Sequence, residues 1–487
     1  MSVMIAIVTR APGMAAPHPE AEFSADFLQY NILGQLVPTP TEAVPAGLLP
    51  PSSLGIGSQF PTPPRGSTAA RDLLGRLDAA PPGAGWTWFP ASPPPLMPYL
   101  AGNARLGNAS LNPGPLFDAP SWETGVQQAK YAASTFGLNY SLAQTFSVVA
   151  LGNALQGDQW LSAYTLDLFA KWTVFSTDGG AAAGWISTQV EAQEGLARAS
   201  RSQTPQSNLG TFTNPADVWS SHLGFRIPEL AWQQSLAHGR FVALAGVVSQ
   251  ANYLDANTYA NSARGQFLNS ALVNSMVLPL SEYNPGVNLQ WQPHPDWFAQ
   301  TGVTMGNAPA GTAPWADFNA DQWSAVGELG YAPSDLAGMG PGVFRIQPFI
   351  ARAGGPTQGG IAFNLQQQLG HHAPVGWFGR FGAGGSAVTA ASAQVGTGFV
   401  VRAPLKELGL ISSQPNDGLG IGVVWSQPSP KDSGDRPRQE TILELGYVMH
   451  VTPMLRLQPD FQVAWNPSHH PTADHAVVFQ LQLDASW

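Results

Sequence analysis

Three groupings of side chains in this 487-residue sequence have the types that chemistry needs. Glu440 and Glu444 are two neighbouring carboxylates, the pairing glycosidases use as acid and base. On one face of a strand, residues four apart are separated by about 13 Å, too far for either glycosidase geometry without a partner strand. His371-His372, His469-His470 and His475 are metal-ligating types, but they fall in connections assigned to opposite ends of the strands described below, so they do not converge on one ion. The third grouping is dispersed. Arg226, Glu229, Glu328, Arg345, Arg380, Arg402, Glu444, Arg456 and Asp460 are each assigned to the polar face of an alternating segment. Arginine offers five donors in a fixed fork and a carboxylate accepts, so a mixed ladder of the two suits a neutral polyol better than a bare ion. With no Cys there is no thiolate nucleophile or thiolate metal site, and no Ser/His/Asp arrangement stands out. The sequence therefore reads as a non-enzyme without metal or cofactor.

The elements that must position these side chains are strands. From about residue 138 the chain alternates apolar and polar residues. Val477, Phe479, Leu481, Leu483, Ala485 and Trp487 interleave with Gln480, Gln482, Asp484 and Ser486. In Arg456–Trp465, Leu457, Phe461, Val463 and Trp465 oppose Arg456, Gln458, Asp460 and Gln462. A period of two means a strand with one face in an apolar medium and the other in a polar one. Roughly sixteen such segments start near residues 138, 161, 185, 225, 239, 287, 297, 322, 343, 359, 376, 394, 419, 440, 455 and 476. Most connections after even-numbered segments are short, while Gln250–Gly286 and Ser426–Gln439, after odd ones, are long; Pro404–Gly418 is the exception. Short turns at one end and long loops at the other are the outer-membrane barrel arrangement.

Composition decides which face meets what. Only 11% of residues are charged, against roughly 25% in an ordinary soluble protein. A soluble sandwich would carry abundant Lys and Glu on its polar face, yet the chain holds four Lys. Trp291, Trp297, Trp323, Trp377, Trp425 and Trp465 stand on the apolar side near segment ends, as in an interfacial girdle. No segment has the roughly 18 consecutive apolar residues of a spanning helix. With 21 basic against 31 acidic residues and no basic cluster, nucleic acid is not a partner. The expected fold is an all-β transmembrane antiparallel barrel of about sixteen strands over residues 121–487.

Residues 1–120 hold nearly half of the prolines and read as a Pro-rich extension, with one short helix expected at Thr68–Leu77. The apolar start Met1–Val8 lacks a preceding positive charge and is cut off by Thr9-Arg10-Ala11-Pro12, so it is a poor secretory signal as written: either the true start lies upstream or the export reading fails. Gly418-Leu419-Gly420-Ile421-Gly422 precedes no helical pattern and is not a dinucleotide loop; its small residues suit close packing inside the barrel.

An ordered set of motifs adds to this. Phe225-Arg226-Ile227-Pro228-Glu229-Leu230-Ala231-Trp232 resembles the carbohydrate-selective porin (OprB) family. Tyr253-Leu254-Asp255-Ala256-Asn257-Thr258-Tyr259-Ala260, Gln266-Phe267-Leu268-Asn269, Asn416-Asp417-Gly418-Leu419-Gly420-Ile421-Gly422, Glu440-Thr441-Ile442-Leu443-Glu444 and Leu457-Gln458-Pro459-Asp460-Phe461-Gln462 follow in order. The resemblance implies a sixteen-stranded outer-membrane barrel admitting sugars, glucose especially, by passive diffusion. It also implies a channel narrowed by inward-folded loops and lined by Arg and carboxylates. Gln250–Gly286 is the expected constricting loop, with Asp255, Asn257 and Asn269 as its polar contacts. The implied partners are small sugars, outer-membrane lipid and the barrel-assembly machinery, the last through the C-terminal Trp487, with the barrel a monomer or homotrimer. Two alternatives remain at this point: a plugged or partner-gated barrel for polysaccharide export, and a soluble secreted Trp-rich polysaccharide-binding β-protein.

Overall fold

A computed structural model describes residues 138–486, except 178–181, 220–223, 238–239, 295, 307–312, 317, 334, 371–374, 403, 405–407, 409–416, 431–437 and 453, together with four helical positions, Trp122, Val126, Ala129 and Ala133. The Pro-rich extension, the helix expected at Thr68–Leu77, His371-His372 and Trp487 lie outside the described residues.

Sixteen strands follow one another: β1 (Leu138–Gly152), β2 (Trp160–Ser176), β3 (Ala182–Gly195), β4 (Gly224–Leu236), β5 (Phe241–Val248), β6 (Asn284–His294), β7 (Trp297–Met305) and β8 (Gln322–Tyr331), then β9 (Gly342–Ala353), β10 (Gln358–Gln368), β11 (Val375–Gly384), β12 (Ala391–Arg402), β13 (Gly418–Pro428), β14 (Glu440–His450), β15 (Leu455–Trp465) and β16 (His475–Ser486). Each pairs antiparallel with its sequence neighbour, and β1 closes the ring on β16 from Ala143↔Ser486 to Gly152↔Val477. Closure leaves no sheet edge, the condition hydrocarbon imposes on any strand structure that crosses it. His475, expected in a connection, instead opens β16 and pairs with Trp465.

The alternation has the expected sense. Phe479 and Leu481 are 59% and 50% exposed on the outer wall, while Gln480, Gln482 and Asp484 between them are buried inside. Along β2, Trp172 is exposed outside and Asp167 and Lys171 are buried within. The six tryptophans expected in the girdle all take the outward parity of their strands.

One pair breaks simple parity. Arg226 and Glu229 are three residues apart, so strict alternation would place them on opposite faces. Gln189 pairs with Glu229 and Glu191 with Arg226, so two steps on β3 face three on β4. The extra residue forms a bulge at Ile227-Pro228, where a proline without an N–H costs the ladder least, and both charged side chains turn inward.

The interior is not a uniform column. Two connections fold into it. The β3–β4 connection carries a 3-10 turn at Ala199–Arg201 and α1 (Pro205–Leu209); the β5–β6 connection carries a 3-10 turn at Gln250–Asn252 and α2 (Ser270–Val273). Thr204 caps α1 by accepting from the Ser207 N–H, and Gly210 ends it at φ 65°, a left-handed value that suits glycine. Buried Leu209, Trp219, Tyr259, Phe267 and Leu272 of these segments pack on inward-facing Phe378, Val400, Val424 and Ile442 of the wall. A second group, Phe212, Leu254, Val277 and Leu278, packs on Val326, Phe349 and Ala362. A methyl group on Gly422 would meet Leu272 and Phe267 at 2.9–3.1 Å, so the small residues of β13 do let the β5–β6 segment lie close.

Candidate functional site

The β5–β6 segment is fixed by ion pairs and backbone hydrogen bonds that draw on most of the predicted residues. Asp255 sits at its centre with φ 60° and no solvent exposure. Arg380 of β11 makes an ion pair with it at 3.2 Å and also donates to the Asp255 carbonyl at 3.0 Å and the Leu272 carbonyl at 2.6 Å. Asn364 of β10 donates to the Asp255 carboxylate at 2.6 Å, and the Ser275 N–H at 2.7 Å. Glu328 of β8 accepts the Asp255 N–H at 3.2 Å and pairs with Arg345 of β9 at 3.2 Å. Asn257 donates to the Asn364 side chain at 2.7 Å. Charge-assisted, multiply bonded contacts of this kind are the strong class of hydrogen bond.

A second anchor lies on β14 and β15. Glu444 accepts the N–H groups of Leu268 and Asn269 at 2.5 and 2.9 Å. The Asn269 amide donates to Gln462 at 3.1 Å, and its oxygen caps α2 through the Ala271 N–H. Gln462 in turn donates to Asp460 and to the Pro215 carbonyl, both at 2.8 Å. Glu440 holds the β3–β4 segment, accepting the N–H groups of Phe212 at 2.7 Å and Thr213 at 3.0 Å. The suggestive Glu440/Glu444 pair is thus spent on backbone amides of two different segments.

On β4, Glu229 accepts from Ser187 and from the single Tyr253 hydroxyl, which lies 2.7 Å from each carboxylate oxygen. Burial, and then the Glu229 carboxylate, hold the Tyr253 phenol well above its ordinary pKa, so it stays a donor. Arg402 ends β12 on the inward parity, half-buried, its charge reaching Tyr259.

Between these anchored segments and the wall of β1–β4, β15 and β16 lies a cavity of about 170 Å³. Its charged lining is Glu191, Asp217, Arg226, Arg264, Glu282 and Arg456. Arg226 reaches Glu191 with Nη2 at 2.9 and 3.0 Å and Glu282 with Nη1 at 2.8 Å. Arg264, at the tip of the β5–β6 segment, crosses to Asp167 of β2 and donates to Thr145 of β1 at 3.1 Å. Burial works against its charge, but Asp167, Glu191, Asp484 and Asp217 outweigh burial and raise its pKa above the ordinary guanidinium value. Arg226 Nε and Asn274 Nδ2, both in residues lining the cavity, make no hydrogen bond. Phe169 adds an apolar face.

Of the predicted residues, Arg226 and Arg456 reach this cavity; Asp255, Asn257, Asn269, Glu328, Arg345, Arg380 and Glu444 secure the segment that walls it, and Asp460 is tied to that second anchor through Gln462. Glu191, Asp217, Arg264 and Glu282 were not foreseen. The alternation of Gln189, Glu191 and Gln193 carried the signal for Glu191, whereas Asp217, Arg264 and Glu282 lie in connections with no period to read.

A family model described as carbohydrate-selective porin, OprB family, matches residues 171–359 and 351–486. Among solved structures, the high-pH structure of OprB from Pseudomonas putida is 17% identical with a TM-score of 0.59, covering 75% of this chain and 97% of that one. The low-pH structure of the same protein is 14% identical with a TM-score of 0.47, over 76% and 97%. An uncharacterized protein of Aquifex aeolicus is 36% identical over 63 residues, 13% of this chain and 20% of its own length, so the match spans one fifth of that relative.

Proposed function

This chain belongs to the carbohydrate-selective porin (OprB) family, outer-membrane barrels that admit sugars, and we propose that its sugars cross through the cavity between the two inserted segments and the β1–β4 wall. The observation that carries this reading is the mixed lining itself. Arg226, Arg264 and Arg456 face Glu191, Asp217 and Glu282 around one space, with Phe169 beside them. A sugar is a ring of hydroxyls with apolar faces. Donors and acceptors replace its water, an aromatic edge supports its face, and each contact is weak enough to release.

In the same reading, Asp255, Asn257, Asn269, Glu229, Glu328, Arg345, Arg380, Arg402, Glu444 and Asp460 shape the path by holding its walls. Glucose is the natural first permeant. Residues 121–487 form the barrel unit, and the C-terminal Trp487 serves the assembly machinery. Purified protein in liposomes should swell faster in glucose than in salts of similar size. Equal rates for glucose and salt would reduce the barrel to a general pore.

A further inference from the structure

We infer that this passage discriminates sugars by charge, favouring ammonium-bearing amino sugars over neutral ones and rejecting sugar carboxylates and sugar phosphates. The inference rests on the cavity being the sugar path and adds the sign of its field. The lining alone is balanced, three guanidiniums against three carboxylates. The layer behind it is not. Asp167 stands behind Arg264, and Asp484 accepts from Thr145 at 2.6 Å and from Gln482 at 3.0 Å. Both are buried inside the barrel, and both act on Arg264. Five carboxylates therefore surround three guanidiniums. Lys171 is buried over the Trp185 ring, 4.3 Å from its centroid, and does not line the cavity.

The geometry also fixes which charges a permeant meets. Glu282 is 64% exposed at its side chain, whereas Arg226 is 11% exposed and held between two carboxylates. Each guanidinium already has carboxylate neighbours, while Glu282 keeps open valence. An ammonium group finds acceptors there. A carboxylate or phosphate must first displace Glu191 or Glu282 from Arg226 and then sits in a field of its own sign. Low-dielectric walls focus such a field along a narrow path.

Proteoliposomes of the full chain at low ionic strength and pH 6 provide the test, with swelling measured in glucose, glucosamine and gluconate. Glucosamine should enter roughly fivefold faster than gluconate or more, and a KCl gradient across a planar bilayer should give a reversal potential of cation-selective sign. Asp217→Asn and Asp484→Asn should each shrink that potential, and raised salt should shrink the glucosamine advantage. Equal glucosamine and gluconate rates beside normal glucose uptake would overturn the charge inference alone. Absence of glucose uptake in a folded, inserted barrel would overturn the sugar path with it. If Asp484→Asn fails to insert, the reversal potential of the wild-type chain and of Asp217→Asn still decides the matter.

Discussion

The two sides of the barrel interior use the same side chains for different ends. Against β8–β11, Arg345 and Arg380 meet Glu328 and Asp255 with side-chain exposures of 0–5%, and neither of these two pairs faces open space. Against β1–β4, Arg226 meets Glu191 and Glu282 beside a cavity, with Glu282 mostly exposed. Residue type does not separate the two cases; what does is whether a cavity remains beside the charged pairs. Where Asp255 presses into β8–β11 the ladder holds the segment in place, and where the Arg264 tip reaches β2 it lines the cavity.

The largest effect should come from breaking the packed side. Arg380→Ala leaves the Asp255 carboxylate buried without its guanidinium and the Leu272 carbonyl without its donor. Removing one partner of a buried ion pair costs about 3–5 kcal/mol. The segment should detach without unfolding the barrel, whose ladder is independent of it. Planar-bilayer recordings should show a severalfold rise in single-channel conductance and loss of the preference for sugar over salt. Wild-type conductance in this variant would show that the segment is held by its apolar contacts and that the ion pairs are secondary.

That division was only half legible in the sequence. Strand positions were, because a period of two read along β16 or β15 reports directly on which medium each face meets; all sixteen starts fall within three residues of those expected. The inward facing of Glu328, Arg345, Arg380, Glu444, Arg456 and Asp460 followed from the same parity. Arg226 and Glu229 were assigned correctly only because of a bulge that strict parity does not foresee. What each inward residue touches was not legible, since that depends on where an aperiodic segment lands. Nothing in Ser262-Ala263-Arg264-Gly265 marks it as the tip that reaches β2, and the β3–β4 connection gave no sign that it too folds inside.

An intermediate effect should follow at the second anchor. Glu444→Gln keeps the side chain's size but leaves one oxygen to accept where two now take the Leu268 and Asn269 N–H groups. A buried donor left unsatisfied costs about 1–3 kcal/mol. Hydrogen exchange should rise at Leu268 and Asn269 while Asp255, held from β8–β11, stays protected. Exchange rising equally at both places would mean that the segment moves as one body and that the two anchors are not separate.

The sharpest contrast, and the smallest change in conductance, belongs to Arg226→Gln on the open side. Glu282 is solvated, but Glu191 is buried; glutamine leaves it one amide donor in place of the guanidinium fork, so the cost should stay below that of deleting a buried partner outright, about 1–3 kcal/mol. If the cavity is the sugar path as proposed, the guanidinium donates to a passing hydroxyl and occupies the cross-section, so its removal should slow glucose swelling roughly threefold, about 0.7 kcal/mol of lost differential binding, while potassium conductance rises. Opposite signs for sugar and ion are the signature of a lining residue. A loosened segment, as in Arg380→Ala, raises both. Should Arg226→Gln raise glucose and potassium flux together, Arg226 belongs with Arg380 as an anchor, and the two sides of the interior are not functionally distinct.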